Sequence, residues 1–83
     1  MKSCPLKILV VEDDQRLASL MQTFLQQNGL QVRLESNGLQ AEASCRDFQP
    51  DLMVLDLMLP GMDGFAICRA VRPWFKAPIL MLT

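Results

Sequence analysis

Two apolar runs in this sequence end in carboxylates. Ile8-Leu9-Val10-Val11 is followed at once by Glu12-Asp13-Asp14, and Leu52-Met53-Val54-Leu55 by Asp56. Short apolar runs rich in β-branched residues read as strands buried on both faces, the kind a parallel sheet holds at its centre. A strand of that kind that delivers acid at its end needs a compensating cation or proton, because unpaired charge beside a core is costly. In open α/β sheets, ligands collect beyond the carboxyl ends of the strands. Both acidic clusters are therefore expected at one rim, where facing carboxylates suit a divalent metal and leave one of them for chemistry.

The remaining segments supply the elements between and beyond these strands. Leu17, Leu20, Met21, Phe24 and Leu25 recur at helical spacing, and Asn28-Gly29 ends that helix as a left-handed cap would. Gln31 to Glu35 alternates polar with apolar, the pattern of a half-buried strand nearer an edge. After the turn Ser36-Asn37-Gly38, residues 39–48 predict a weaker helix with Leu39, Ala43 and Phe48 inward, stopped at Gln49-Pro50. Pro60 to Gly64 is turn chemistry, residues 65–72 predict a short helix packing through Phe65, Ile67, Cys68 and Val71, and residues 79–83 predict another strand. The resulting β-α-β-α-β-α-β order implies a parallel sheet with right-handed crossovers.

Composition narrows the function classes. A net charge of −1 gives no electrostatic reason for direct contact with DNA or anionic lipid. No apolar stretch approaches the roughly 20 residues of a membrane span. The N-terminal segment Met1 to Lys7 has no signal-peptide apolar core, being interrupted by Pro5 and Lys7. Cys4, Cys45 and Cys68 are odd in number and the chain has no histidine, so neither a disulfide framework nor a zinc site is indicated. A reducing cytoplasm is the simplest setting.

The segments Ile8 to Asp14, Pro50 to Gly64 and Pro78 to Thr83 together resemble the receiver domain of two-component response regulators. The most specific of them is D-L-M-L-P-G-M-D-G at residues 56–64, which in its Met-Leu-Pro-Gly version is similar to the OmpR/PhoB subfamily of transcription regulators. The stretch from Ala41 to Thr83 is similar to regulators of the RstA type. This resemblance implies an α/β flavodoxin-like (CheY-like) fold, a doubly wound parallel sheet of order 2-1-3-4 truncated after its fourth strand. Residues 1–83 would then be a partial receiver domain, with the fifth strand, the last two helices and the DNA-binding domain outside them. The same resemblance makes Asp56 the phosphoacceptor and a ligand of Mg²⁺, with Mn²⁺ as a substitute. Asp13 would bind the ion directly, Glu12 directly or through water, and the Met58 backbone carbonyl would add an oxygen. Thr83 would hydrogen-bond the attached phosphoryl group, and the donor would be a sensor histidine kinase. The domain would be a switch that catalyses its own phosphorylation rather than an enzyme proper.

Residue chemistry supports that implication independently. Magnesium takes octahedral oxygen at roughly 2.0–2.1 Å, which carboxylates and a carbonyl provide. Phosphoryl transfer needs an in-line oxygen nucleophile and a cation on the equatorial oxygens. Like charges about 5 Å apart repel by around 3 kcal/mol at an effective dielectric of 20, so a carboxylate pKa should be raised in the ion-free site. Plainer roles compete residue by residue. Asp13 or Asp14 serves equally as a helix cap, Asp63 as a turn residue, the methionines as core filler, Trp74 as loop packing, and Arg69 and Arg72 as a solvated helix face.

Two further expectations concern what the 83 residues omit. The family lysine that precedes a proline on the fifth strand has no counterpart, since Lys76 precedes Ala77 and the fourth strand, so this piece is expected to be phosphorylated poorly and to reach DNA only through a C-terminal domain. The Ile79–Leu82 strand is expected to be a bare edge through which the chain self-associates or swaps elements. Competing readings are a non-catalytic docking module and a haloacid dehalogenase-type phosphotransferase. The latter needs a second acid two residues after the nucleophile, where this chain has Met58.

Overall fold

The computed structural model describes residues 5–57, 59 and 62–82. Its elements are β1 (Lys7–Val11), α1 (Gln15–Gln27), β2 (Gln31–Glu35), a 3-10 turn (Gly38–Gln40), α2 (Ala41–Phe48), β3 (Leu52–Asp56), α3 (Gly64–Val71) and β4 (Ile79–Leu82). The strands form one parallel sheet, as the alternating elements implied, in the order β2-β1-β3-β4 that the family resemblance implied. Met58, Pro60, Gly61 and Thr83 lie outside the described residues, so the expected Met58 carbonyl and Thr83 hydroxyl contacts do too.

Helix boundaries follow the side chains that satisfy their ends. Asp14 accepts from the backbone N–H groups of Arg16 and Leu17 at 3.0 and 3.3 Å and so caps α1. Gly29 then takes φ 82°, with its N–H on Gln26 O and that of Leu30 on Leu25 O, closing the helix as Asn28-Gly29 predicts. The end of α2 is less ordinary, because Gln49 rather than glycine occupies the left-handed region at φ 52° before Pro50.

Period-two alternation sorts each central strand between two cores. Leu9, Val11, Met53 and Leu55 face Ala41, Cys45 and Phe48 of α2 together with Ile67 and Val71 of α3. Burial in this layer pushes the Cys45 thiol up to about 11, as befits a small apolar filler. Ile8, Val10 and Val54 face the other way, toward Met21 and Leu25 of α1.

Several expected core contacts differ. In α2 the buried face runs through Ala41, Cys45 and Phe48, while Ala43 is exposed and Leu39 is 64% exposed in the 3-10 turn. The 3-10 segment changes the phase of the helix, so a periodicity begun at Leu39 points to the wrong face. Phe65 is exposed at the start of α3, leaving Ile67 and Val71 to carry its packing. On α1 only part of the apolar stripe is covered, with Leu17, Leu20 and Phe24 exposed. Phe24, Leu25, Leu52, Val54 and Leu80 line an apolar groove of about 240 Å³ between α1 and the β4 edge. Arg72 is no solvated surface residue; its guanidinium donates to Phe75 O and Ala77 O at 2.8 and 3.0 Å and ties down the turn before β4.

Candidate functional site

Strand register brings the two acidic segments together. Val11 pairs with Leu55 across β1 and β3, so Glu12 and Asp56, each one residue further on, reach the same level at the carboxyl rim. Glu12, Asp13 and Asp56 each offer an oxygen, and those oxygens lie within 4.8 Å of one another. Glu12 is buried at 6% exposure, Asp56 is half-buried and Asp13 is exposed. The cluster thus opens to solvent on the Asp13 side and closes toward the sheet on the Glu12 side.

Neighbouring acids take different work. Because Asp14 caps α1, Asp13 is left for the cluster, which resolves the choice between them that spacing left open. Asp63 accepts from Ala66 N at 2.8 Å and caps α3, so it is a helix cap rather than merely a turn residue. The Glu12 carboxylate accepts from Asp14 N–H at 3.1 Å, which fixes its orientation toward the rim. Its own N–H is anchored on Glu35 O at 3.0 Å. Sequence reasoning did not anticipate this backbone tether; the run of three consecutive acids after a strand was its available signal.

Electrostatics at the rim are unfavourable without a cation. Burial is the main cause that holds the Glu12 carboxyl above the ordinary 4.5, joined by the charge of Asp56, a hydrogen bond shared with Asp56 and the charge of Asp13. The Asp14 N–H opposes that shift by favouring the ionised form. Two unit charges 4.8 Å apart at an effective dielectric of 20 repel by about 3 kcal/mol. This is the raised carboxylate the sequence led us to expect.

Such a donor set fits a small hard cation. Opposite ligands of an octahedral magnesium stand about 4.2 Å apart, twice the usual metal–oxygen distance. Adjacent ligands stand about 3.0 Å apart, and oxygens already within 4.8 Å of one another can reach such spacings by side-chain rotation. All three donors are oxygen, with no histidine in the chain and no thiol in the cluster, which disfavours zinc or copper.

Lys76 lies away from this rim. It precedes β4 and borders a cavity of about 370 Å³ lined also by Cys45, Gln49 and Trp74, at the end of the sheet where the strands begin. Position alone therefore removes it as a substitute for the family lysine.

Comparison with known proteins agrees with this geometry. A model of the response regulator receiver domain matches residues 8–83. The transcriptional regulatory protein RstA of Escherichia coli is 45% identical over 76 residues, covering 92% of this chain and 32% of that protein. The DNA-binding response regulator MtrA of Mycobacterium tuberculosis is 44% identical over 77 residues, covering 93% of this chain and 34% of its own length. This chain therefore spans about a third of the length of these relatives. Among solved structures, the BeF3-activated N-terminal receiver domain of Klebsiella pneumoniae RstA superposes with a TM-score of 0.88 at 40% identity, covering 93% of this chain and 66% of that one.

Proposed function

The chain belongs to the response regulator receiver domain family, and from that premise we propose that it is a phosphoacceptor module in which Asp56 takes a phosphoryl group from a sensor histidine kinase. The convergence of Glu12, Asp13 and Asp56 oxygens within 4.8 Å is the observation that carries this reading. In the transfer, an Asp56 carboxylate oxygen forms the new bond to phosphorus as the bond from phosphorus to the donor breaks. Asp13 and Glu12, together with Asp56 itself, would hold Mg²⁺ or Mn²⁺. The ion, when bound, supplies neutralising charge on the equatorial phosphoryl oxygens. Asp14 N–H keeps Glu12 turned to the rim, and the exposed side at Asp13 leaves the approach to Asp56 open. The Met58 carbonyl and Thr83 hydroxyl are proposed as a further metal ligand and a phosphoryl hydrogen-bond donor.

The relatives' names place receivers of this kind in transcriptional regulators. We read the parent as one of these, cytoplasmic, with residues 1–83 as part of its receiver and DNA contact made by another domain. No helix among the described residues is long and apolar enough to cross a membrane. The apolar groove beside the exposed Leu80 supports self-association of the 83-residue chain through β4. Sedimentation velocity over a concentration series checks this, and a monomer at every concentration refutes it.

Incubation with acetyl phosphate and Mg²⁺, followed by intact mass, tests the main reading. One added phosphoryl group in the wild type and none in Asp56→Asn supports it. A wild-type chain that stays unmodified at saturating Mg²⁺ leaves the docking-module reading in its place.

A further inference from the structure

Gly64 stands where the first turn of α3 meets the end of β3. It is buried, and its N–H donates to Leu57 O at 3.2 Å. A Cβ built there would lie 2.9 Å from the backbone oxygen of Asp56, 2.9 Å from Leu57 Cδ2 and 3.0 Å from Leu57 Cα. Two of those three atoms are backbone and have no rotamer through which to withdraw. The dihedral does not explain the glycine, because Gly29 rather than Gly64 holds a positive φ. Space explains it: only a residue without a side chain lets the helix rest directly on this peptide.

We propose that Gly64 is a positioning residue for Asp56, its missing side chain setting how far the Asp56 carboxylate reaches toward Glu12 and Asp13. The inference deepens the metal and phosphoacceptor reading above and rests on it. Gly64 is the first residue of α3, where the helix itself accepts alanine. The cost of the substitution therefore falls on the end of β3, which must shift by tenths of an ångström. Metal coordination holds ligand distances to roughly ±0.2 Å, so a backbone shift of that size must be taken up by the Asp56 side chain at a cost in ion affinity.

Gly38 provides the internal control. A Cβ there would meet Met62 O at 3.3 Å and Leu59 Cδ1 at 3.4 Å, so its crowding falls on residues 59 and 62 rather than on Asp56. Mn²⁺ affinity, followed by the paramagnetic resonance of the free ion, and urea unfolding are measured on the whole chain for four proteins. These are wild type, Gly64→Ala, Gly38→Ala and the double variant Gly64→Ala/Leu57→Ala. Gly64→Ala should weaken Mn²⁺ binding by about tenfold or more, the usual effect of disturbing groups behind metal ligands. Gly38→Ala should lower the urea midpoint while keeping Mn²⁺ affinity within twofold, and Leu57→Ala should fail to rescue the double variant. Should Gly64→Ala unfold, the double variant, relieved of one clash, carries the comparison. Wild-type affinity in Gly64→Ala, or its restoration in the double variant, overturns the proposal. A wild-type chain that binds no Mn²⁺ instead overturns the metal reading, and this inference with it.

Discussion

The two rims of the sheet handle charge in opposite ways. Where the strands begin, three cations meet partners: Lys7 Nζ donates to Phe48 O at 2.7 Å, Arg72 clamps Phe75 O and Ala77 O, and Arg46 stacks 4.2 Å over Trp74 while pairing with Glu42. Where the strands end, Glu12, Asp13 and Asp56 turn toward one another. One rim is built for stability, and the other keeps an electrostatic deficit that a cation can relieve. Local rules of satisfaction tend to be broken at functional sites, and the acidic rim breaks the one that pairs charge with opposite charge.

Substitution of Arg72 by alanine tests the first rim most severely. It removes two hydrogen bonds from a charged donor to buried-side carbonyls and should cost about 2 kcal/mol, read as a lower urea midpoint at unchanged slope. A cost below about 0.5 kcal/mol would mean that the strand-start rim does not depend on that clamp.

At the acidic rim the sign reverses. Mg²⁺ at ten times its dissociation constant should stabilise the wild type by about 1.4 kcal/mol, and a thermal melt with and without chelator measures this. In chelator, stability should fall as pH rises from about 4.5 through the elevated Glu12 pKa, because the folded state holds the proton that the unfolded state has released. Glu12→Gln should flatten that slope and, above it, stabilise the ion-free protein by on the order of 1 kcal/mol, by removing a buried charge and its repulsion from Asp56 and Asp13. A destabilised Glu12→Gln in chelator at pH 8 would show that the tether to Asp14 N–H outweighs the repulsion. The smallest effect belongs to Arg46→Ala, where an exposed cation–π stack and ion pair should contribute about 0.5 kcal/mol by chemical denaturation.

Much of this molecule was legible before any coordinates. Parallel direction follows from alternating elements with unbroken apolar strands, the strand order came with the family resemblance, and the acids closing two of those strands pointed to the rim. Helix faces were read less well. The 3-10 turn shifted the phase of α2 away from Leu39 and Ala43, and Phe65 lost its expected contact because α3 packs through Ile67 and Val71. Arg72 looked like a surface cation because nothing in linear order reveals that Phe75 O and Ala77 O fold back within its reach.

Sequence by itself determined which residues could carry negative charge and at which strand ends, since residue type and periodicity are local properties. Only the tertiary structure decided that Asp13 would meet Glu12 and Asp56, and that Glu12 would be the buried member. That convergence depends on the pairing of Val11 with Leu55, which sets Glu12 and Asp56 at one level. Register and close approach are distances between segments far apart in the chain, so no local pattern encodes them.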